Sequence, residues 1–177
     1  MSWEKLQQLG RAGSIDELNA LFAGGAAPNG LEGPTDGVLV VPSMDRVRTP
    51  LVKAISRFYM PWLGKRFFAG EARGDNRFVP SVRLPAKLLW PGYSIRPNGA
   101  ERTAFDFVTR TGAGGHDPDT QVLVIDYAPV KENPDRLIRR IRDEIVEVEP
   151  AIFLGKILYQ ENDGGYSNLG FFALRRL

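Results

Sequence analysis

A mainly β fold, an antiparallel barrel or sandwich of about eight strands, is predicted by two features of this sequence. From Trp62 onward, short alternating or apolar runs follow one another, separated by turns rich in Gly, Pro and Asn. The length of 177 residues, with 43% hydrophobic and 25% charged residues, suits one globular domain with a sizeable core. That domain is read as 1–177, made of a helical segment over 1–25 and a β region over 33–177.

The elements follow in chain order. Residues 3–9 form a short amphipathic helix ended by Gly10. Ser14-Ile15-Asp16-Glu17 has the pattern of a capping box, and the helix it starts carries Leu18, Leu21 and Phe22 on one face before Gly24-Gly25. These short N-terminal helices are expected to cap the core. Residues 26–36 hold Pro28, Gly30, Gly33 and Pro34 and form a loop. The β-branched run 37–41 is the first strand, ended by Pro42. Helical spacing returns over 48–60, where Leu51, Ala54, Ile55 and Phe58 share a face.

An aromatic strand then begins at Trp62. Residues 81–89 alternate partly and are read as extended, and Pro97-Asn98-Gly99 is a turn. Residues 103–110 alternate, with Phe105 and Phe107 on one side. A glycine-rich loop over 112–119 leads to an apolar strand, 121–130, interrupted by Asp126. Asn133-Pro134 can cap a helix with Leu137, Ile138 and Ile141 as its stripe and Asp143 on its polar side. Strands over 145–149, 152–159 and 166–175 close the chain, the last two joined by Asn162-Asp163-Gly164-Gly165. One or two helices are thus inserted among about eight strands.

Composition excludes several function classes. The 23 basic and 21 acidic residues interleave and leave +2, so no concentrated field for nucleic acid is expected. Without cysteine there is no disulfide, thiolate metal site or cysteine nucleophile. The single histidine, His116 in a Gly-rich loop, cannot by itself build a zinc site or a Ser-His-Asp triad, and no metal or cofactor is expected. Glu4 and Lys5 interrupt the N-terminus, so no secretory signal is expected. No run is long enough to span a bilayer, and a cytoplasmic location is expected. A homodimer is compatible with these features.

The chemistry concentrates around Trp62-Leu63-Gly64-Lys65-Arg66-Phe67-Phe68. Adjacent Lys65 and Arg66 on a strand face opposite sides, so one points inward. An inward Lys65 or Lys156 needs a carboxylate, and Asp126 and Asp143 are the candidates; an outward cation would snorkel over the wall. Asp126, inside Val124-Ile125-Asp126-Tyr127, could move a proton if desolvated, or accept bonds from a neighbouring turn. Tyr93, Tyr127 and Tyr159 can each donate to a ligand carbonyl. Trp62, Phe67, Phe68, Phe78 and Trp90 supply aromatic area suited to core packing or, as a set, to a pocket.

Several of these residues carry a resemblance. A glycine precedes the first strand, a helical stretch leads to Trp62-Leu63-Gly64-Lys65-Arg66-Phe67, Asn76 follows, Asp126 ends an apolar strand, and Leu154-Gly155-Lys156 comes late. Over residues 33–175 the chain resembles the bacterial GXWXG family with its companion domain of unknown function, a small calycin-like (lipocalin-like) barrel. The first strand departs from that pattern, since Gly37-Val38-Leu39-Val40 holds no tryptophan. The resemblance implies an antiparallel calycin-like barrel over 33–177 that encloses a small hydrophobic ligand, such as a lipid- or polyketide-like metabolite. Trp62, Lys65, Phe67, Trp90, Phe105, Phe107, Asp126, Tyr127, Arg142, Lys156 and Tyr159 are the expected ligand-binding residues. The alternative is a cofactor-free cyclase or isomerase of natural-product biosynthesis in the same cavity, with Asp126, Lys65 and Tyr127 as catalytic candidates. A third reading is an interaction module working through the N-terminal helices.

Overall fold

Strand pairing closes on itself in this chain. The computed structural model describes residues 1–42, 61–134 and 137–177, so the helix expected over 48–60 lies outside the described residues. The strands are β1 (Gly33–Pro42), β2 (Trp62–Phe68), β3 (Arg73–Phe78), β4 (Arg96–Asn98), β5 (Glu101–Ala113), β6 (Gln121–Asp126), β7 (Ile141–Glu149), β8 (Ile152–Gln160) and β9 (Tyr166–Arg176). They pair antiparallel in the order β3-β2-β1-β9-β8-β7-β6-β5, and a further pairing of β3 with β5 joins the two ends. The result is an eight-stranded antiparallel barrel, with β4 attached to β5 as a short extra hairpin strand. Among the described residues, three helices accompany it: α1 (Trp3–Ala12), α2 (Ile15–Ala23) and α3 (Arg83–Leu89).

The wall is buried on both faces over much of its circumference. Along β8, Phe153 and Ile157 face the lumen while Leu154 faces out; along β9, Phe172 and Leu174 face in while Phe171 and Ala173 face out. The outward set is covered by Leu6 and Leu9 of α1 and Leu18 and Phe22 of α2. The near-continuous apolar runs of β8 and β9 follow from this double burial. The N-terminal helices therefore plaster the outer wall, and a second core separates them from the lumen core.

Several local expectations are corrected. Helix α1 does not stop at Gly10 but runs to Ala12 and ends on Gly13, whose φ of 67° is left-handed. Gly10 serves a different need, because a Cβ there would overlap the carbonyl oxygen of Val40. Ser14 makes no side-chain cap; it is Ser2 that accepts from the Lys5 amide at the start of α1. Residues 81–89 are not extended but form the 3-10 turn Pro80–Val82 followed by α3. Val82 and Ala86, four residues apart, both join the lumen core, a spacing that a helical turn satisfies as well as a strand does.

The strand expected over 121–130 stops at Asp126, whose side chain accepts from the Ala128 amide at 2.9 Å and turns the chain. Of the helix expected from Asn133, the described residues show only the 3-10 turn Ile138–Arg140, and β7 begins at Ile141. Two-residue periodicity, with Ile141 and Ile145 in the lumen core, prevails there. Among the described residues, no helix is long and apolar enough to cross a membrane.

Gly10→Ala tests the close docking of α1. Alanine is the better helix former by about 1 kcal/mol, so a free helix would gain. Against the Val40 carbonyl the added methyl must displace helix or strand. A net loss of about 1–3 kcal/mol in urea unfolding is expected; a gain would show that α1 has room to move.

Candidate functional site

The site is built from β2. Trp62 pairs with Phe78 and Gly64 with Arg77, so Leu63 is an extra residue and β2 is bulged. The bulge restores phase in a way that turns Trp62, Lys65 and Phe67 all to the inside. Arg66 goes outward and pairs with Asp75 at 2.5 Å. Gly64, at φ 139°, lies where a Cβ would collide with the carbonyl of Thr35. The Thr35 hydroxyl in turn accepts from the Lys65 amide at 3.2 Å and donates to the Lys65 carbonyl at 2.9 Å. Backbone and side chain of Lys65 are thus both held.

Lys65 Nζ donates to three acceptors: Asn76 Oδ1 at 2.9 Å, the Tyr127 hydroxyl at 2.6 Å and Asp143 Oδ2 at 2.7 Å. Tyr127 donates to the same Asp143 oxygen at 2.8 Å. Asn76, the cross-strand partner of Lys65, also accepts from the Trp62 indole at 3.1 Å. The strands β2 and β7 stand four places apart in either direction round the eight-strand ring. The Lys65–Asp143 pair therefore bridges opposite walls of the lumen, and each side chain is only 1% exposed.

Rings enclose the ammonium. Those of Trp62, Phe107, Tyr127 and Phe172 have centroids 5.3–5.7 Å from Nζ, within cation–π range. Three of these rings lie over glycines on neighbouring strands: Trp62 over Gly37, Phe107 over Gly74 and Phe172 over Gly155. Any side chain at those glycines would occupy the space of the ring.

Burial pushes the Lys65 amine below the ordinary lysine range, while the charge and hydrogen bond of Asp143 push it back up. Asp143 Oδ1 is buried and has no hydrogen-bond partner. The arrangement joins an amine, a phenol and a carboxylate within one hydrogen-bonded chain. It can bind a polar group or relay a proton.

Of the residues expected to bind a ligand, the lumen brings together Trp62, Lys65, Phe67, Phe105, Phe107 and Tyr127. Trp90 packs on Phe105 at 5.5 Å between centroids, and Tyr159 lies half-buried against the same core beneath the Arg140 guanidinium. Asp126, Arg142 and Lys156 stand apart from the cluster. Asp126 caps its turn. Arg142 pairs with Glu144, and Lys156 lies under α2, bonded to Asp117 at 2.6 Å. His116 is exposed, with Nε2 at 2.5 Å from the Tyr166 carbonyl. Among the described residues, no group of three or more metal-ligating side chains comes together.

Asp143 and Asn76 belong to the cluster although neither was among the ligand-binding residues expected from sequence. A signal for Asp143 was present: it is in phase with Ile141 and Ile145 in Ile141-Arg142-Asp143-Glu144-Ile145, a carboxylate on the apolar side of a strand.

The mouth of the barrel near α3 has its own brace. Phe105 has a left-handed φ of 53°, and its amide donates to the Tyr93 hydroxyl at 2.5 Å while the two rings stack at 5.1 Å. Burial pushes the Tyr93 hydroxyl up to about 12, with the Phe105 hydrogen bond opposing.

No family model, curated protein or solved structure matches the chain.

Two outcomes are expected. Lys65→Met strands a buried carboxylate and should cost about 3–5 kcal/mol in urea unfolding, whereas the apolar pair Lys65→Met/Asp143→Leu should recover most of that loss. If the double variant is no better than the single one, the pair braces the barrel in a way apolar packing cannot replace. Tyr93 is raised in the folded state, so its contribution is whole below the ordinary tyrosine range near 10 and is lost as pH climbs toward 12. Tyr93→Phe should flatten that alkaline decline, read as unfolding midpoint against pH.

Proposed function

We propose that the barrel binds a small, largely apolar molecule in its lumen and that the Lys65–Tyr127–Asp143 cluster receives its polar end. The observation that carries this reading is Asp143 Oδ1, a buried carboxylate oxygen without a hydrogen-bond partner. Burying an unpaired acceptor is costly, and a ligand that satisfied it would recover that cost. Lys65 supports the reading from the other side. Its three ammonium protons are engaged by Asn76, Tyr127 and Asp143, so no donor is left for a second carboxylate. The polar end is therefore a donor, a hydroxyl or N–H, on a lipid- or polyketide-like body.

Trp62, Phe67, Phe105 and Phe107 supply the apolar contacts in this scheme, and a place among the GXWXG-type calycin-like barrels is part of the same proposal. With Lys65 and Asp143 each 1% exposed, entry of a ligand requires a lumen side chain to swing aside.

A second reading has its own observation. The Tyr127 hydroxyl bonds both Lys65 Nζ at 2.6 Å and Asp143 Oδ2 at 2.8 Å, a short path along which a proton can pass. A cofactor-free cyclase or isomerase would use Asp143 Oδ1 to take a proton from the bound substrate and return it at another position, with Lys65 and Tyr127 stabilising the carboxylate. Conversion of the bound molecule to a product of changed structure separates the two readings.

The test is native mass spectrometry of the protein from its own host, then thermal-shift titration with a long-chain alcohol and the fatty acid of equal length. A bound apolar molecule, with the alcohol raising the melting temperature more than the acid, is the expected result. In Lys65→Met/Asp143→Leu the preference for alcohol should vanish. A ligand-free mass together with no shift from either probe would overturn the reading.

A further inference from the structure

Charge is distributed unevenly along this chain. Its totals are nearly balanced, yet between Asp75 and Glu101 there is no carboxylate at all, while Arg77, Arg83, Lys87 and Arg96 all fall within that stretch. Two of the four are paired, Arg77 with Glu101 and Arg96 with Asp106. Arg83 and Lys87, both exposed and four residues apart on α3, have no ion-pair partner among the described residues.

The same short helix carries the apolar surface that the fold leaves uncovered. Leu88 is 82% exposed and Leu89 41% exposed; among the described residues the only other large exposed hydrophobic side chain is Leu177. Half-buried Trp90 follows directly, and exposed Pro91 and Gly92 end the projection. Arg83 and Lys87 also line a groove of about 550 Å³ together with Tyr93 and Ile95. Val82 and Ala86 anchor this element in the lumen core, so the projection stands on a fixed base.

Adjacent exposed aliphatic side chains beside two cations with no ion-pair partner among the described residues are a composition that enters the headgroup layer of an anionic bilayer. A second copy of the chain fits less well, because it would bring the same cations against one another. We infer that α3 docks on an anionic lipid surface, Leu88 and Leu89 entering the interfacial layer while Arg83 and Lys87 face the headgroups. This does not depend on the lumen reading. Where both hold, docking sets the α3 mouth of the barrel against the membrane.

The experiment is flotation of the 177-residue chain with phosphatidylcholine vesicles, pure or containing about one-third phosphatidylglycerol. Binding to the anionic vesicles, weakening as salt is raised, is expected. Each cation should account for roughly fivefold in affinity, so Arg83→Gln/Lys87→Gln should lose more than tenfold. Leu88→Gln should lose roughly tenfold. All these side chains are exposed, and unchanged melting transitions would show that the variants remain folded. Equal binding to both vesicle types, or full binding by Arg83→Gln/Lys87→Gln, would overturn the inference. Full binding by Leu88→Gln would reduce the contact to charge adsorption and equally overturn insertion. Lipid-free sedimentation is the remaining control: a wild-type dimer that Leu88→Gln converts to monomer would assign the patch to a second copy instead.

Discussion

The ion pair between Lys65 and Asp143 is the constraint on which the rest of the barrel depends. Taking an ammonium and a carboxylate out of water costs several kcal/mol for each ion, and this barrel does so at the middle of its lumen. The cost can be offset only if the ammonium finds acceptors on all sides, which Asn76, Tyr127 and Asp143 provide from three different strands or strand ends. Those acceptors come within reach only if the ring of strands is closed, because β2 and β7 face each other across it. Closure and charge satisfaction are therefore one event. The glycines follow from the same demand: Gly37, Gly74 and Gly155 leave space for Trp62, Phe107 and Phe172, whose rings then exclude water from the cation and meet it with their faces. The bulge at Trp62–Gly64 is the device that lets Trp62 and Lys65 share the inside.

A second polar knot lies on the opposite face of the wall. Glu144 and Lys156 are direct cross-strand partners on β7 and β8, one step out of phase with Asp143 and Ile157 and so turned outward. Both are buried, Lys156 beneath Phe22 of α2 with its ammonium on Asp117, and Glu144 beneath the 112–119 loop. Glu144 accepts from the Gly115 amide at 2.8 Å and from Arg142 at 2.6 Å. The glycine-rich loop thus folds down onto a buried carboxylate, and a side chain at Gly114 or Gly115 would crowd it. The α2 helix and this loop are fastened to the barrel by charge as well as by apolar contact. His116, carried by the same loop, is thereby held at the rim against Tyr166 and away from the lumen.

Much of this was legible in the sequence, and the parts that were not share a cause. The closing hairpin could be read because its apolar runs are long and its turn is Asn-Asp-Gly-Gly; β8 and β9 pair from Gln160 opposite Tyr166 as that turn requires. The opposition of Lys65 and Arg66 could be read because period two leaves no alternative for adjacent residues. Failures came where two periods fit one stretch. Residues 133–143 offer Leu137, Ile138 and Ile141 to a helix, but Ile141, Asp143 and Ile145 to a strand, and pairing with β6 and β8 decides for the strand. Residues 81–89 offered a broken alternation, and Val82 and Ala86 join the lumen core at a spacing that helix and strand both satisfy. In both places the deciding partner is distant in sequence. Which carboxylate meets Lys65 has the same character. Asp126 and Asp143 both sit in apolar strands, and a single residue of phase separates the outward one from the inward one.

The uneven use of Asp143 bears on what the cluster is for. A carboxylate employed only to brace two walls gains most when both oxygens are bonded, since each bare oxygen retains its desolvation cost. Asp143 instead takes the bonds from Lys65 and Tyr127 on Oδ2 and leaves Oδ1 buried without a partner. The Arg77–Glu101 and Arg96–Asp106 pairs spread their donors over both oxygens, whereas Glu144, like Asp143, takes its bonds on one oxygen and leaves the other bare. In Asp143 the bare oxygen belongs to the carboxylate that Lys65 and Tyr127 hold in place. Its desolvation cost is not recovered by any bond among the described residues, and a hydrogen-bond donor reaching it would relieve that cost.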